Sequence, residues 1–167
     1  MIPRVLRNFN LFVDGTSYAG RVTEVELPEL NFKTEEHRGG GMDGVAEIDM
    51  GQEAMEAKLT FAEYVSDIFK RVGRMNGNGV RLQIRGALQR DGERAIPVVV
   101  ELHGSFKTST MGSWKAGDLA THEVAMAVRY YRLTMNNELQ HEIDVDNMIR
   151  NIGGVDELES IREAIGL

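Results

Sequence analysis

Alternation of apolar and polar residues runs through most of the chain and predicts strands. In segment 80–89, Val80, Leu82 and Ile84 face one way and the residues between them are polar, which is the period of two of a half-buried strand. Similar patterns are found at 8–13, 17–27, 45–61, 96–108, 119–135 and 139–145. Turn dipeptides such as Asp14-Gly15 and Asp91-Gly92 separate several of them. The chain is therefore predicted to form a single domain over residues 1–167, built mainly of β-strands with some α-helix. The expected architecture is an antiparallel β-sandwich or partly closed barrel.

Two segments change to a helical period. Between 63 and 75, apolar residues fall on one face and acidic residues precede basic ones, which predicts a flanking helix. Residues 76–79, Asn-Gly-Asn-Gly, are expected to end it. A short C-terminal helix is predicted over 156–165, with an apolar side that we expect to pack on the core.

The stretch from 34 to 52 breaks the strand pattern and predicts an extended β-hairpin arm. Its first half is polar and charged and contains Gly39, Gly40 and Gly41, whereas strand-like alternation returns after Val45. Such an arm has little to pack against in its own domain. Its tip is either simply flexible or orders against another subunit.

Composition excludes several classes of protein. The net charge is −7 and the pI is about 5.1, which disfavours general affinity for nucleic acid or anionic membranes. There is no cysteine, so thiol catalysis and thiolate metal sites are excluded. No apolar run reaches transmembrane length, and the first ten residues lack the apolar region of a signal peptide. We therefore expect the chain to be made in the cytosol, with no membrane anchor.

Candidate catalytic and metal-binding groups lack the required spacing. The four histidines, at 37, 103, 122 and 141, are scattered, and Ser105 lacks the G-x-S-x-G context of a nucleophile elbow. The glycine run is not followed by the Gly-Lys-Ser/Thr of a phosphate loop. The acidic run from Glu47 to Glu56 is interpreted as a solvated strand face rather than a carboxylate pair. We predict no enzyme activity, no cofactor and no metal site.

Several motifs, in order along the whole chain, carry a resemblance to a known family. They are MIP at 1–3, NLFVDG at 10–15, ELPEL at 26–30, RGGGMD at 38–43, DMGQEAMEAK at 49–58, WKAG at 114–117, YYRL at 130–133, EID at 142–144 and GVDEL at 154–158. With these motifs the chain resembles the major tail tube protein of contractile-tailed bacteriophages, a family that includes R-type pyocin tubes and is related to the Hcp tube of type VI secretion.

The resemblance implies a structural subunit whose hexameric rings stack into a hollow tube inside a contractile sheath. Implied partners are further copies of itself, the sheath, the baseplate or tube initiator, the tape measure and the tail terminator. The tube would guide DNA in a phage, or ions in a bacteriocin, without specific binding. The implied location is the virion tail, assembled in the host bacterial cytoplasm.

The resemblance also suggests which residues meet neighbours. The inter-ring contact is expected from Glu36, His37, Arg38, Gly39, Gly40, Gly41, Met42 and Asp43. Trp114 and Lys115 are expected at subunit contacts, although a loop tryptophan can also cap a core. An anionic lumen would repel the DNA backbone, and the candidates for lining it are Glu47, Asp49, Glu56 and Glu123. Arg81 and Arg85 are expected to be paired or to face outward.

Two other interpretations remain open at this stage. One is a type VI Hcp-like needle subunit, which shares the hollow ring but matches the motifs less well. The other is a small β-sandwich hydrolase, which would need a convergent histidine–carboxylate pocket. The sequence does not distinguish a phage from a headless bacteriocin-like particle.

Overall fold

The structure, a computed structural model, describes residues 1–167 and is dominated by antiparallel strands. The strands are β1 (Val5–Val13), β2 (Thr16–Ser17), β3 (Val22–Glu26), β4 (Phe32–His37), β5 (Ala46–Gln52), β6 (Met55–Phe61), β7 (Val80–Gln89), β8 (Ile96–Thr110), β9 (His122–Met135), β10 (Glu138–Asp144), β11 (Ile149–Ile152) and β12 (Val155–Asp156). The helices are α1 (Ser66–Phe69) and α2 (Glu159–Ile165). Neither helix has the length or hydropathy that crossing a bilayer would require.

One ten-stranded sheet forms the body, in the order β12-β11-β10-β9-β8-β7-β1-β2, with β6 and β3 branching from β9. A core of 20 residues lies against its buried face and includes Leu59, Phe61, Leu102 and Phe106. The sheet curls over this core until Tyr18, beyond β2, meets Phe61 of β6 edge to face with ring centroids 5.9 Å apart. No ladder joins β2 to β3, so the sheet is not closed into a barrel.

The sheet divides along β9, because two different strands pair with one edge of this long strand. Residues 122–128 of β9 pair with β6, and residues 130–135 pair with β10. On its other side β9 pairs with β8 along almost its whole length. The β3–β6 branch and the β10–β12 branch therefore leave the same edge of β9 at its two opposite ends.

The β4–β5 hairpin is a separate two-stranded sheet, as the predicted arm requires. Thr34 pairs with Asp49, and His37 pairs with Ala46. Gly51 has φ +115° where β5 bends toward β6, a conformation that L side chains rarely adopt. The glycine therefore allows the chain to turn from the arm into the body.

The predicted helix over 63–75 is reduced to a single turn, α1. Gly73 adopts φ +78°, and its N–H donates to the carbonyl of Phe106 in β8 at 3.0 Å. This tertiary hydrogen bond and the left-handed glycine override the helical pattern.

Two further predictions on secondary structure need correction. The predicted strand over 17–27 is broken at Gly20, where φ is +78°, and β3 leaves β1 to pair with β6. The C-terminal helix begins at Glu159 instead of 156, and none of its residues is buried. Ile161 and Ile165 are 47% and 60% exposed, so the expected core packing of this helix is wrong.

Candidate assembly surfaces

Four neighbouring strands, β3, β6, β9 and β8, expose one polar face, which we call the acidic face. Its residues form rows across the strands. One row reads Glu24, Thr60, Glu123, Thr110, and the next reads Glu26, Lys58, Ala125, Thr108. These residues and Glu56 line a shallow concavity of about 420 Å³. Apart from Lys58, its lining side chains are short or acidic.

The charge of the acidic face is negative overall. Glu24, Glu26, Glu56 and Glu123 contribute four carboxylates, and Lys58 and Lys107 contribute two ammonium groups. Lys107 Nζ lies 2.7 Å from Glu56 Oε2, and this hydrogen bond holds the pKa of Glu56 below its usual value. Glu56 therefore stays ionised at neutral pH.

Both outer edges of the acidic face lack a strand partner. On one side β3 pairs only with β6. On the other side β7 ends its pairing with β8 at Gly104, so that residues 108–110 of β8, which follow a register shift at Lys107, pair with β9 alone. Unpaired edges are templates for strand addition from another chain. This face is thus a segment of sheet that can continue at both sides.

The arm tip is an ordered turn. Met42 N–H donates to the carbonyl of Gly39 at 3.2 Å, and Arg38 Nε donates to the carbonyl of Met42 at 3.2 Å. Gly41 takes φ +85°. All eight residues predicted for the inter-ring contact lie in this tip or the adjoining strand ends, at the point of the hairpin farthest from its junctions with the body.

The four predicted lumen residues separate into two groups. Glu56 and Glu123 lie on the acidic face, whereas Glu47 and Asp49 lie on β5 of the arm. Asp49 is paired with Arg150 at 2.5 Å. Glu24 and Glu26 join the acidic face without having been selected from the sequence. The sequence indicated that both lie in a strand that ends before Pro28. It did not indicate that this strand pairs with β6.

Trp114 lies in the loop before β9 and is 77% exposed, with its ring 6.4 Å from that of Tyr64. Tyr64 also donates its hydroxyl to the carbonyl of Met111 at 3.0 Å. Trp114 is therefore not a core cap. Lys115 beside it is also exposed. Arg81 and Arg85 are likewise exposed, and Arg85 lies over the Phe12 ring at 5.7 Å. Their orientation away from the lumen stays a prediction.

His122 is fully buried beneath this loop. Its ring stacks on Phe69 with centroids 4.2 Å apart, and Nε2 lies 2.6 Å from Ser109 Oγ. Nδ1 has no hydrogen-bond partner. Burial lowers the pKa of His122, which favours the neutral ring. The arrangement is a packed core histidine without a carboxylate partner, so it does not resemble a catalytic dyad.

Free sheet edges and a projecting hairpin are the features of a self-assembling structural subunit. The chain belongs to the Phage tail tube protein FII family, whose profile matches residues 3–166. It is 34% identical to the tail tube protein of Escherichia phage P2, over 99% of both chains. It is 32% identical to the major tail tube protein of Serratia phage KSP20, over 89% of this chain and 86% of that protein.

Solved structures share the fold at low sequence identity. A chain of the anti-feeding prophage tube-terminating cap aligns with TM-score 0.62 and 16% identity, covering 81% of this chain and 91% of that one. A chain of the PVC sheath–tube complex in the extended state aligns with TM-score 0.60 and 15% identity, covering 80% and 90%. The family resemblance inferred from the sequence is confirmed. The chain is a tail tube subunit of a contractile phage or injection system, a structural component of the virion tail and not an enzyme.

Proposed function

We propose that the subunit closes into a hexameric ring by pairing the free edge of β3 with residues 107–110 of β8 in the next copy. The observation that carries this is the four-strand acidic face with an unpaired edge on each side. Repeated around a ring, the pairing joins the four-strand segments into one continuous barrel. Ring closure removes the exposed edges, which would otherwise promote uncontrolled association.

In this ring the acidic face lines the lumen. Its carboxylates repel the phosphates of DNA, so that DNA, or ions in a headless particle, passes without being held. The short threonine and alanine side chains between them leave the wall smooth. Glu47 and Asp49 would contribute to the lumen only where the arm itself enters the channel.

Rings then stack through the arm, residues 34–52, whose tip contacts the next ring. An isolated two-stranded hairpin is only marginally stable in water, so this one gains from a partner surface. Trp114 and Lys115 form a further subunit contact through the exposed loop before β9. Such head-to-tail stacking is heterologous and open-ended, which produces a tube.

The assembled tube is proposed to bind a sheath, a baseplate or tube initiator, a tape measure and a tail terminator. Support comes from the fold neighbours, which were solved in a sheath–tube complex, a sheath/tube terminator and a baseplate. Assembly takes place in the host cytoplasm, without membrane anchoring.

Cysteine cross-linking tests ring closure directly, since the native chain contains no cysteine. Single cysteines at positions 22–26 are combined with single cysteines at 107–110 in one chain, and assembled tubes are oxidised. At least one register is expected to give a ladder of covalent oligomers ending at the hexamer. The control pair E24C/E138C, with one cysteine on β10, is expected to give none. Tubes visible by microscopy that cross-link in no register would exclude this edge pairing.

Deletion of residues 36–44 tests stacking. The subunit is expected to keep its fold, because the tip makes no hydrogen bond or ion pair with the body. Negative-stain microscopy is expected to show rings but no tubes. Tubes of native length from the deletion would rule out the arm as the ring-to-ring contact.

A further inference from the structure

Few hydrogen bonds or ion pairs join the arm to the body. Its strands form their own sheet, and the hydrogen bonds of the tip stay within the tip. At its base, Asn31 and Glu53 bond only to each other. The single hydrogen-bonded or ion-paired contact between residues 32–52 and the rest of the chain is made by Arg150.

Arg150 contacts both strands of the arm. Its Nη2 lies 2.5 Å from Asp49 Oδ2 on β5, and its guanidinium carbon lies 4.4 Å from the ring centroid of Phe32 on β4. The Arg150 side chain is only 15% exposed. The second oxygen of Asp49 accepts from Gly51 N–H at 2.8 Å, at the bend where β5 leaves the arm. Arg150 therefore contacts the hairpin next to the bend at Gly51, where the direction of the arm relative to the body is determined.

The backbone of Arg150 is itself fixed by the C-terminal segment. Its carbonyl accepts from Glu157 N–H at 2.8 Å, and its N–H donates to Asp156 Oδ1 at 3.4 Å. Asp156 in turn pairs with Arg162 of α2 at 2.6 Å, and Arg162 donates to the carbonyl of Met148 at 2.8 Å. A continuous chain of contacts thus runs from α2 through Arg150 to the arm.

We infer that Arg150 is the positioning residue that sets the angle of the arm relative to the body. This rests on the proposed role of the arm in stacking. Identical rings add to a tube only if every arm projects in the same direction, because the receptor surface repeats with the geometry of the ring. A planar guanidinium suits the task, since it can stack on an aromatic ring and bind a carboxylate at the same time.

Distance measurements between spin labels test the inference in the soluble subunit. Labels are placed on D43C at the arm tip and E138C at the start of β10, in the otherwise cysteine-free chain. Native Arg150 is expected to give one narrow distance distribution, and R150A a distribution at least twice as wide. R150K, which keeps the charge but not the planar group, is expected to lie between them. R4A is the matched control, because it removes an arginine paired with a glutamate, Glu93, in the turn between β7 and β8.

Tube elongation is measured with the same variants. R150A is expected to lengthen tubes several-fold more slowly, with α2 and the body still folded by circular dichroism. If R150A does not fold, D49N provides the same test from the other partner. A distribution as narrow as the native one, or normal elongation with a broadened distribution, would overturn the role of Arg150. Normal elongation by the 36–44 deletion would instead overturn the stacking role on which the inference rests.

Discussion

Gly104 lies directly against the carbonyl of Ala127, so closely that a Cβ on Gly104 would come within 1.9 Å of that oxygen. The contact lies at a register shift in β8, where the strand leaves β7 and continues as the outer strand of the acidic face. The absence of a side chain is what allows β8 and β9 to approach there.

Gly104→Ala is therefore expected to destabilise the subunit strongly. Because the obstructing atom belongs to the backbone, the free energy of unfolding is expected to fall by an amount at or above the upper end of the roughly 1–3 kcal/mol that overpacking costs. Each kcal/mol corresponds to about 2–4 °C in Tm for a chain of this size. Thermal denaturation followed by circular dichroism measures it. Gly40→Ala is the control, since a Cβ there meets nothing within 4 Å; equal Tm values for the two variants would contradict the argument.

His122 is expected to make stability depend on pH. Burial lowers its pKa in the folded state below the ordinary value of 6.5, so the unfolded chain binds a proton more readily. The free energy of unfolding should fall as pH decreases below about 6.5 and be unaffected by this group above it. His122→Phe keeps an aromatic ring on Phe69 and should reduce the pH dependence between pH 7.5 and 5 in urea titrations. Part of the pH dependence that remains comes from His103, because burial lowers its pKa as well. An unchanged pH dependence in His122→Phe would contradict the assignment, and exposed His37→Gln serves as the control.

Reversing the charge of the acidic face is expected to make tubes retain DNA. With Glu24→Lys and Glu123→Lys the wall becomes cationic, and each phosphate contact adds about −0.9 to the slope of log affinity against log salt. Co-sedimentation of assembled tubes with short DNA measures retention, which should disappear as salt rises. The matched control carries Glu138→Lys and Glu163→Lys, exposed on β10 and α2. Equal retention by the two double variants would place the lumen elsewhere.

The tryptophan fluorescence of this protein comes from Trp114 alone, because the chain has a single tryptophan. At 77% exposure its emission in the isolated subunit is expected to match that of a solvated indole, and to shift to the blue when subunits assemble. Trp114→Ala should leave the free energy of unfolding within about 0.5 kcal/mol but weaken assembly. An emission maximum unchanged by tube formation would show that this loop is not a subunit contact.

Local patterns predicted much of the architecture because they depend on neighbours along the chain. The alternation at Val80, Leu82 and Ile84 correctly identified β7 and its buried face. The glycines and charges around 39–41 correctly indicated a hairpin outside the main sheet. The helical pattern around Ile68 was misleading beyond one turn, since Gly73 forms its hydrogen bond to a strand 33 positions later.

Side-chain partners were harder to predict than strands. Glu56 and Glu123 were both predicted as lumen candidates, and the fold places them on one face, although their role in a lumen stays a prediction. Glu47 and Asp49 were grouped with them because all four are acidic, but the arm carries these two away, and Arg150 binds Asp49 across 101 positions of sequence. Glu24 and Glu26 were not selected because nothing within 17–27 shows that the chain breaks at Gly20 and crosses to β6.

The sequence alone was enough to predict an acidic, cysteine-free β domain with a projecting hairpin, and the order of its motifs indicated its family. Both follow from information carried by consecutive residues. The folded structure was needed to show the division of the sheet at β9, the free edges of β3 and of the end of β8, and the contact between Arg150 and the arm. These features depend on which distant segments compete for the same backbone hydrogen bonds and charges, and that competition is resolved only when the whole sheet forms.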